Sequence, residues 1–237
     1  MLSGLSSSSD LSVDKLLEKF SSGSLRQKRS LIPAVEKAAD QLAAMGAAAL
    51  ASFDREGDDW AAGWILQILN RHQPAALSPL LDASGGWFST GSESDLDYST
   101  LQQALLEERF EEADRLTSAF LRQLAGEQAE RRGYVYFSEV LSIRGLDLVT
   151  IDRLWIAYSQ GRFGFTVQAR LLATVNGRYD KLWPRIGWKK EGVWTRYPRA
   201  FDWSLKAPEG HMPLINQLRG VRLIDALLNH PSLVARQ

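Results

Sequence analysis

Residues 98 to 126, YSTLQQALLEERFEEADRLTSAFLRQLAG, carry the clearest helical pattern in the chain. Apolar side chains recur there at a spacing of three or four residues, as on one face of an amphipathic helix: Phe110, Ala113, Leu116, Phe120 and Leu124. Gly126 stands where such a helix is expected to end, since glycine adopts the backbone conformation of a helix stop. The stretch therefore predicts two consecutive helices that share a core.

The same periodicity extends in both directions and predicts an all-α class. Residues 11 to 73, 147 to 161, 163 to 177 and 213 to 230 all have helical patterns. Asp58 and Thr150 are predicted to begin two of these helices as N-caps, and Pro213 a third. The β-branched stretch YVYFSEV, residues 134 to 140, is the single candidate strand, and a buried helical turn explains it equally well. Long loops are expected between residues 187 and 212.

A change in composition predicts how the chain is divided. Residues 74 to 98 are rich in Ser, Gly, Pro and Asp, which is typical of a linker or of a loop ordered by its neighbours. We therefore predict an N-terminal helical-repeat-like bundle over residues 1 to 79, a linker over 80 to 97 and a larger all-helical domain over 98 to 237.

Composition excludes several classes of function. The 237 residues contain no cysteine, which removes disulfides, thiolate catalysis, iron–sulfur clusters and zinc fingers. The three histidines, His72, His211 and His230, have no metal-ligand spacing, and a hydrogen bond that fixes a loop is the favoured role for His211. His72 and His230 are each expected at a helix C-terminus. No catalytic constellation appears, so we expect neither an enzyme nor a metal site.

The N-terminal residues resemble neither a transit peptide nor a secretory signal, and no apolar run reaches the length of a transmembrane helix. These features predict a cytoplasmic protein.

The tract from residue 183 to 203, WPRIGWKKEGVWTRYPRAFDW, indicates a binding surface. It holds six aromatic rings and five Lys or Arg side chains. About half of the rings are expected to anchor loops to the core. The remainder, interleaved with cations, would suit single-stranded nucleic acid, a membrane interface or a planar cofactor with acidic groups. The residues alone favour nucleic acid and a planar cofactor equally as the ligand of this surface.

Several motifs in order along residues 98 to 231 resemble the genomes-uncoupled family of porphyrin-binding regulators of magnesium chelatase, and the first 79 residues resemble the helical-repeat extension of its cyanobacterial members. The motifs are FEEADRLT, YFSEV, DLVTIDRLW, GRFGFTVQ, LWPRIGWK, VWTRYP and PEGHMPLINQLRGVR. The resemblance implies a cupped-hand, porphyrin-binding domain without turnover of its own. It implies protoporphyrin IX and Mg-protoporphyrin IX as ligands, no prosthetic group, and the large porphyrin-binding subunit of magnesium chelatase as partner.

The resemblance also selects candidate site residues. It assigns Phe137 to an apolar palm, Tyr197 to a loop position where tryptophan is expected, and Asn216 with Arg219 to a polar pair. Together with the tract, this predicts that Asn216 and Arg219 orient the propionates while rings wall the porphyrin: Phe137, Trp194, Tyr197 and Phe201. No protein ligand to magnesium is predicted. Nucleic-acid binding by residues 183 to 203 is the alternative, and association with thylakoid or other internal membranes is compatible with either.

Overall fold

The computed structural model describes residues 12 to 214 and 221 to 237, and it confirms the all-α class. Four helices precede residue 73: α1 (Val13–Ser22), α2 (Leu25–Lys37), α3 (Ala39–Met45) and α4 (Trp60–His72), with a 3-10 turn at Gly46–Leu50. The start of α2 follows from a capping box, in which Ser24 and Gln27 satisfy each other's backbone N–H groups. His72 ends α4, as expected from the sequence.

The N-cap prediction for α4 is wrong by one residue. Asp59, not Asp58, accepts a hydrogen bond from the Ala61 N–H at 2.9 Å. The Asp58 carboxylate instead accepts from the guanidinium of Arg236, near the other end of the chain, at 2.6 Å. Which residue caps a helix depends on the backbone geometry at the first turn. The sequence does not reveal that geometry, so it does not distinguish between two adjacent aspartates.

Residues 74 to 98 form a loop that is ordered by its neighbours. The segment contains α5 (Pro74–Leu77) and a 3-10 turn at Ser78–Leu80, and it then runs without regular structure. The side-chain oxygen of Gln102 accepts from the backbone N–H groups of Trp87, at 3.0 Å, and Phe88, at 2.8 Å. These bonds satisfy buried backbone donors that an irregular segment would otherwise leave without partners.

The second half of the described chain is a set of packed helices, listed here in order: α6 (Ser99–Leu106), α7 (Phe110–Ala125), α8 (Glu127–Arg132), α9 (Gly145–Ala157), α10 (Phe165–Thr174), α11 (Tyr179–Arg185), α12 (Arg222–Leu228) and α13 (Pro231–Val234). The two helices predicted from residues 98 to 126 are thus confirmed as α6 and α7. Gly126 follows α7 with a φ of 97°, a conformation that favours glycine.

Helix α4 packs directly on this second set of helices. The amide of Gln67 donates to the carbonyls of Leu105, at 3.1 Å, and Tyr158, at 2.8 Å, so it links α4 to the C-terminal ends of α6 and α9. Gly63 lies so close to the Ala157 carbonyl that a Cβ atom there would overlap it. The proposed division at residues 80 to 97 stays a prediction, and α4 lies against the larger unit across it.

Three local predictions differ from the structure. Thr150 lies inside α9, where its hydroxyl donates to the Gly91 carbonyl at 2.7 Å, because the helix already begins at Gly145. Within the described residues, the last predicted helix begins at Arg222 and not at Pro213. His230 follows α12 but caps the start of α13, where its ring accepts from the Ser232 N–H at 3.3 Å. Burial lowers the pKa of His230, which favours the neutral ring that this acceptor role requires.

The stretch YVYFSEV forms no strand. A 3-10 helix at Phe137–Ser142 confirms a helical turn in its second half, but the predicted burial is wrong for Tyr136 and Phe137, which are 46% and 45% exposed. Strand pairing occurs instead in the predicted loop region, where β1 (Lys189–Lys190) pairs antiparallel with β2 (Val193–Trp194). The turn between them contains Glu191 and Gly192, both with positive φ. Two-residue strands are too short to show a period of two in the sequence.

Candidate functional site

Half of the rings in residues 183 to 203 are structural. Trp183, Trp188 and Phe201 are only 6%, 1% and 6% exposed. The two indoles stack with ring centroids 5.4 Å apart and an interplanar angle of 6°. The Trp188 indole N–H donates to the His211 carbonyl at 2.8 Å, so this pair fastens the loop from residue 187 to 212 onto α11.

His211 completes this anchor and does not face an open site. Its Nδ1 lies 2.6 Å from the Ile186 carbonyl oxygen, which fixes the proton on that nitrogen and confirms the predicted loop-fixing hydrogen bond. Its ring packs on Phe201 with centroids 4.7 Å apart. Burial lowers the pKa of His211, so the ring is neutral at pH 7. Over residues 12 to 214 and 221 to 237, no group of three or more His, Asp or Glu side chains is placed to hold a metal ion.

The other rings of the tract reach solvent. Trp194 is partly exposed, lies 5.7 Å from Trp183 between centroids, and carries the Lys189 ammonium 4.5 Å above its ring. Tyr197 is 42% exposed and meets the rings of Phe201 and Trp203 edge-on, at 5.8 Å in both cases. The tract therefore has a buried side that fixes the loop and an open side that includes Tyr197.

Tyr197 borders a cavity of about 630 Å³. One face of α7 supplies much of the wall, because its residues 112, 115, 116, 119 and 122 recur at helical spacing. Residues 133 to 135 and helix α12 supply another part of the wall. The apolar part of the lining consists of Leu116, Ala119, Leu121, Val135, Leu214, Leu223 and Leu227. A volume of this size lies within the range of about 300 to 1,000 Å³ typical of small-molecule sites.

Two cations of α7 face this cavity without an acidic partner. Arg115 and Arg122 lie two turns apart on the cavity side of the helix, and neither takes part in an ion pair within the described residues. The neighbouring arginines behave differently, since Arg109 pairs with Glu107 and Glu112, and Arg131 pairs with Glu127. Arg115 and Arg122 are therefore free to meet an acidic ligand at the cavity.

Beneath the cavity lies a buried carboxylate, Asp114. It is 1% exposed, and its Oδ1 accepts from the Leu214 backbone N–H at 2.6 Å. Burial raises the pKa of Asp114 to about 7, against the lowering effect of the hydrogen bond from the Leu214 N–H and of the adjacent Tyr197 hydroxyl. In turn, burial and the adjacent Asp114 raise the pKa of Tyr197 to about 12, so its phenol stays protonated. Both partners of Asp114 line the cavity.

Of the predicted site residues that the structure describes, only Tyr197 lines this cavity. Phe137 is 45% exposed on the 3-10 helix, with the Arg222 guanidinium 5.4 Å from its ring centroid. Trp194 and Phe201 belong to the neighbouring loop. Asn216 and Arg219 lie outside the described residues, and their roles stay predictions.

Sequence reasoning missed the α7 face, including Arg115, Arg122 and Asp114. The signal was present, because both arginines adjoin the apolar stripe of the strongest amphipathic helix. An arginine at such a border is most simply interpreted as a solvated residue. Glu112 also lines the cavity but pairs with Arg109, so only the lack of an ion pair in the described structure distinguishes Arg115 and Arg122 from the arginines around them.

An all-helical protein with an apolar, cation-lined cavity of ligand size is the class that this fold and geometry define. Within that class, the chain belongs to the GUN4-like family, whose pattern matches residues 91–231. The matched part includes α7, the cavity and the whole basic, aromatic tract.

Two curated relatives agree with this assignment. The chain is 47% identical over 163 residues to a Ycf53-like protein of Synechocystis, a match that covers 69% of this chain and 66% of the relative. It is 38% identical over 144 residues to the chloroplastic tetrapyrrole-binding protein of Arabidopsis thaliana, with 57% of this chain and 54% of the relative covered. The chain thus spans less than two thirds of the length of either.

A solved structure shares the fold. GUN4 of Chlamydomonas reinhardtii superposes with a TM-score of 0.58 at 36% sequence identity, and the match covers 62% of this chain and 93% of that structure. The common part is therefore nearly the whole of the Chlamydomonas domain, with further helices present in this chain.

Proposed function

We propose that this protein binds protoporphyrin IX and Mg-protoporphyrin IX in the cavity between α7 and α12. The single observation that carries the proposal is the cavity itself. It has a volume of about 630 Å³, and its apolar wall adjoins two arginines that form no ion pair among the described residues. A porphyrin is a flat apolar disc with two propionates on one edge, so it needs this combination. The name of the Arabidopsis relative, a tetrapyrrole-binding protein, supports the same ligand class.

In this proposal, the protein residues divide the work of recognition. The leucines of α7 and α12 and the ring of Tyr197 remove apolar ligand surface from water, which is the main source of affinity. Arg115 and Arg122 meet propionates through charge-assisted hydrogen bonds, which are stronger than neutral ones. Asn216 and Arg219 are proposed as further propionate partners, and they lie in sequence between two cavity residues, Leu214 and Leu223. Phe137, Trp194 and Phe201 are proposed as walls at the edge of the site.

We further infer that the protein acts as a non-catalytic regulator that stimulates magnesium chelatase in chlorophyll biosynthesis, through the large porphyrin-binding subunit. Membership of the GUN4-like family supports this role. No residue is assigned to catalysis, and no prosthetic group or protein ligand to magnesium is proposed. The proposed location is the cytoplasm, with association at the surface of thylakoid or other internal membranes. No helix among the described residues is both long and apolar enough to cross a bilayer.

One titration tests ligand class directly. Deuteroporphyrin IX, a soluble porphyrin dicarboxylate, and a mixed single-stranded oligonucleotide are added separately while the Soret band and tryptophan fluorescence are followed. Porphyrin binding is expected to shift the Soret band and quench the indoles at one site per chain. Salt-dependent oligonucleotide binding without a Soret shift would instead support the nucleic-acid alternative.

A second assay tests the partner. The protein is added to reconstituted magnesium chelatase, and the rate of metal insertion is measured with the wild type and with a cavity variant, Leu223→Arg. Stimulation by the wild type alone is expected, because the variant places a charge in the apolar wall. Equal stimulation by both proteins would mean that the effect on the chelatase does not depend on the cavity.

A further inference from the structure

Asp114 connects two walls of the cavity from below. Its carboxylate holds the backbone of Leu214 through a hydrogen bond of 2.6 Å and lies beside the hydroxyl of Tyr197. Tyr197 lies in the loop from residue 187 to 212, Leu214 follows that loop, and Asp114 belongs to α7. The side chain is therefore the point at which α7 fixes two loop residues that a ligand would touch.

Among the described residues, this buried carboxylate has no cation as a partner. Within the described residues it forms no ion pair, and the elements packed on it offer only the Leu214 amide and the Tyr197 phenol. Among the described residues, two charged groups on α7 act on this pair: Glu111 opposes the ionisation of Asp114, and Arg115 acts on the adjacent Tyr197. Two neutral donors partly stabilise the ionised form, while burial opposes it more strongly. The pKa of the Asp114 carboxyl group is therefore about 7.

A ligand with carboxylates adds negative charge above this group. Like charges in a poorly hydrated environment disfavour each other's ionised form, so a bound porphyrin dicarboxylate should increase the proton affinity of the Asp114 carboxylate. By linkage, binding then takes a proton from solvent, and affinity rises as the pH falls through neutrality.

We propose that Asp114 is a positioning residue of the cavity, which holds Leu214 and Tyr197 and takes up a proton when an anionic tetrapyrrole binds. The inference rests on the proposed tetrapyrrole binding. From a pKa of about 7, an increase of half to one pKa unit corresponds to porphyrin binding about 2.5 to 5 times tighter at pH 6 than at pH 8.

Calorimetry measures the proton directly. Deuteroporphyrin IX is titrated into the full-length protein at pH 7 in two buffers with different ionisation enthalpies, and the difference in binding enthalpy gives the number of protons taken up. Wild type is expected to take up a fraction of a proton, and Asp114→Asn less. Glu130→Gln is the matched control, because it removes an exposed carboxylate of α8 that does not act on Asp114 and should retain the wild-type uptake.

The outcomes are distinguishable. Binding with equal proton uptake by wild type and Asp114→Asn would overturn the role of Asp114 and leave the proposed function intact. Absence of any Soret shift in the wild type would overturn the proposed function and this inference with it.

Should Asp114→Asn fail to fold, Tyr197→Phe provides a second test. Loss of the tyrosine hydroxyl removes an adjacent donor that favours the ionised carboxylate, so the midpoint of the pH dependence of affinity is expected to move to higher pH. An unchanged midpoint would contradict the proposal.

Discussion

The two most informative regions of this protein are the aromatic tract at residues 183 to 203 and the cavity face of α7, and they contrast in how visible they are. The tract is conspicuous in the sequence, yet Trp183, Trp188 and Phe201 are buried in the core. The α7 face is an ordinary amphipathic pattern, yet it carries Arg115 and Arg122 toward the cavity.

The difference teaches that ring content alone does not identify a binding surface. A long loop has no helix or sheet to bury its backbone, so it needs large side chains as anchors. Trp188 and His211 perform that task through a hydrogen bond between the indole N–H and the histidine carbonyl. Only Tyr197 of the tract reaches the cavity lining. One loop therefore combines structural rings with a ring that a ligand would touch.

The largest expected effect is the loss of stability when a buried ring of the tract is removed. Trp188→Ala should reduce the free energy of unfolding by about 3 to 5 kcal/mol, because it empties a fully buried site and removes the stacking partner of Trp183. Urea denaturation followed by circular dichroism measures the change. Val193→Ala, at a residue 69% exposed in the adjacent hairpin, is the control and should lie within about 0.5 kcal/mol of wild type. Equal stabilities of the two variants would mean that the indole pair is not an anchor.

The next effect concerns the carboxylate beneath the cavity and depends on pH. The folded-state pKa of Asp114, about 7, lies above the ordinary value of 3.8, so the folded protein holds more protons between these values. The stability contributed by Asp114 is therefore present below about pH 4 and is lost as the pH rises through about 7. Asp114→Asn lacks this titration.

The free energy of unfolding of Asp114→Asn relative to wild type should consequently increase between pH 5 and pH 8, by on the order of 2 to 3 kcal/mol. Chemical denaturation at several pH values measures the difference. Parallel pH profiles for the two proteins would show that Asp114 does not titrate in this range.

The smallest expected effect is on porphyrin affinity, and it concerns Tyr197, the one residue of the tract that lines the cavity. Tyr197→Phe should change porphyrin affinity by no more than about threefold, because the ring and its contacts with Phe201 and Trp203 are retained. Tyr197→Ala removes the ring and should weaken binding by about tenfold or more. Soret titrations of both variants measure the affinities. An equal loss in the two would assign the contribution to the hydroxyl and not to the ring.

Much of the fold was predictable, because helices have a strong period. The residues from 98 to 126 gave α6 and α7, and Gly126 marked the end of α7. Local end points were less predictable: Asp59 caps α4 in place of Asp58, and α9 begins five residues before Thr150. Such details depend on which backbone donor a side chain reaches after packing.

The candidate site was predictable only where a rare motif carried it. Tyr197 follows from the VWTRYP motif, whereas Asp114 resembles any polar residue of an amphipathic helix. Its backbone hydrogen-bond donor, the Leu214 N–H, is one hundred residues away in sequence. Contacts of that separation, and the lack of acidic partners for Arg115 and Arg122, exist only in the folded chain.

The most direct test of the central claim is a double-mutant cycle between the two arginines and the two propionates. Affinities for deuteroporphyrin IX and for its dimethyl ester are measured with wild type and with the Arg115→Ala/Arg122→Ala variant. Arg178→Ala, at an exposed arginine paired with Asp180, serves as control and should match wild type. Wild type is expected to prefer the dicarboxylate by at least about tenfold, since hydrogen bonds between charged groups contribute about 1.5 to 3 kcal/mol each, and the double variant should lose most of that preference. A double variant that discriminates between acid and ester as strongly as wild type would contradict the account.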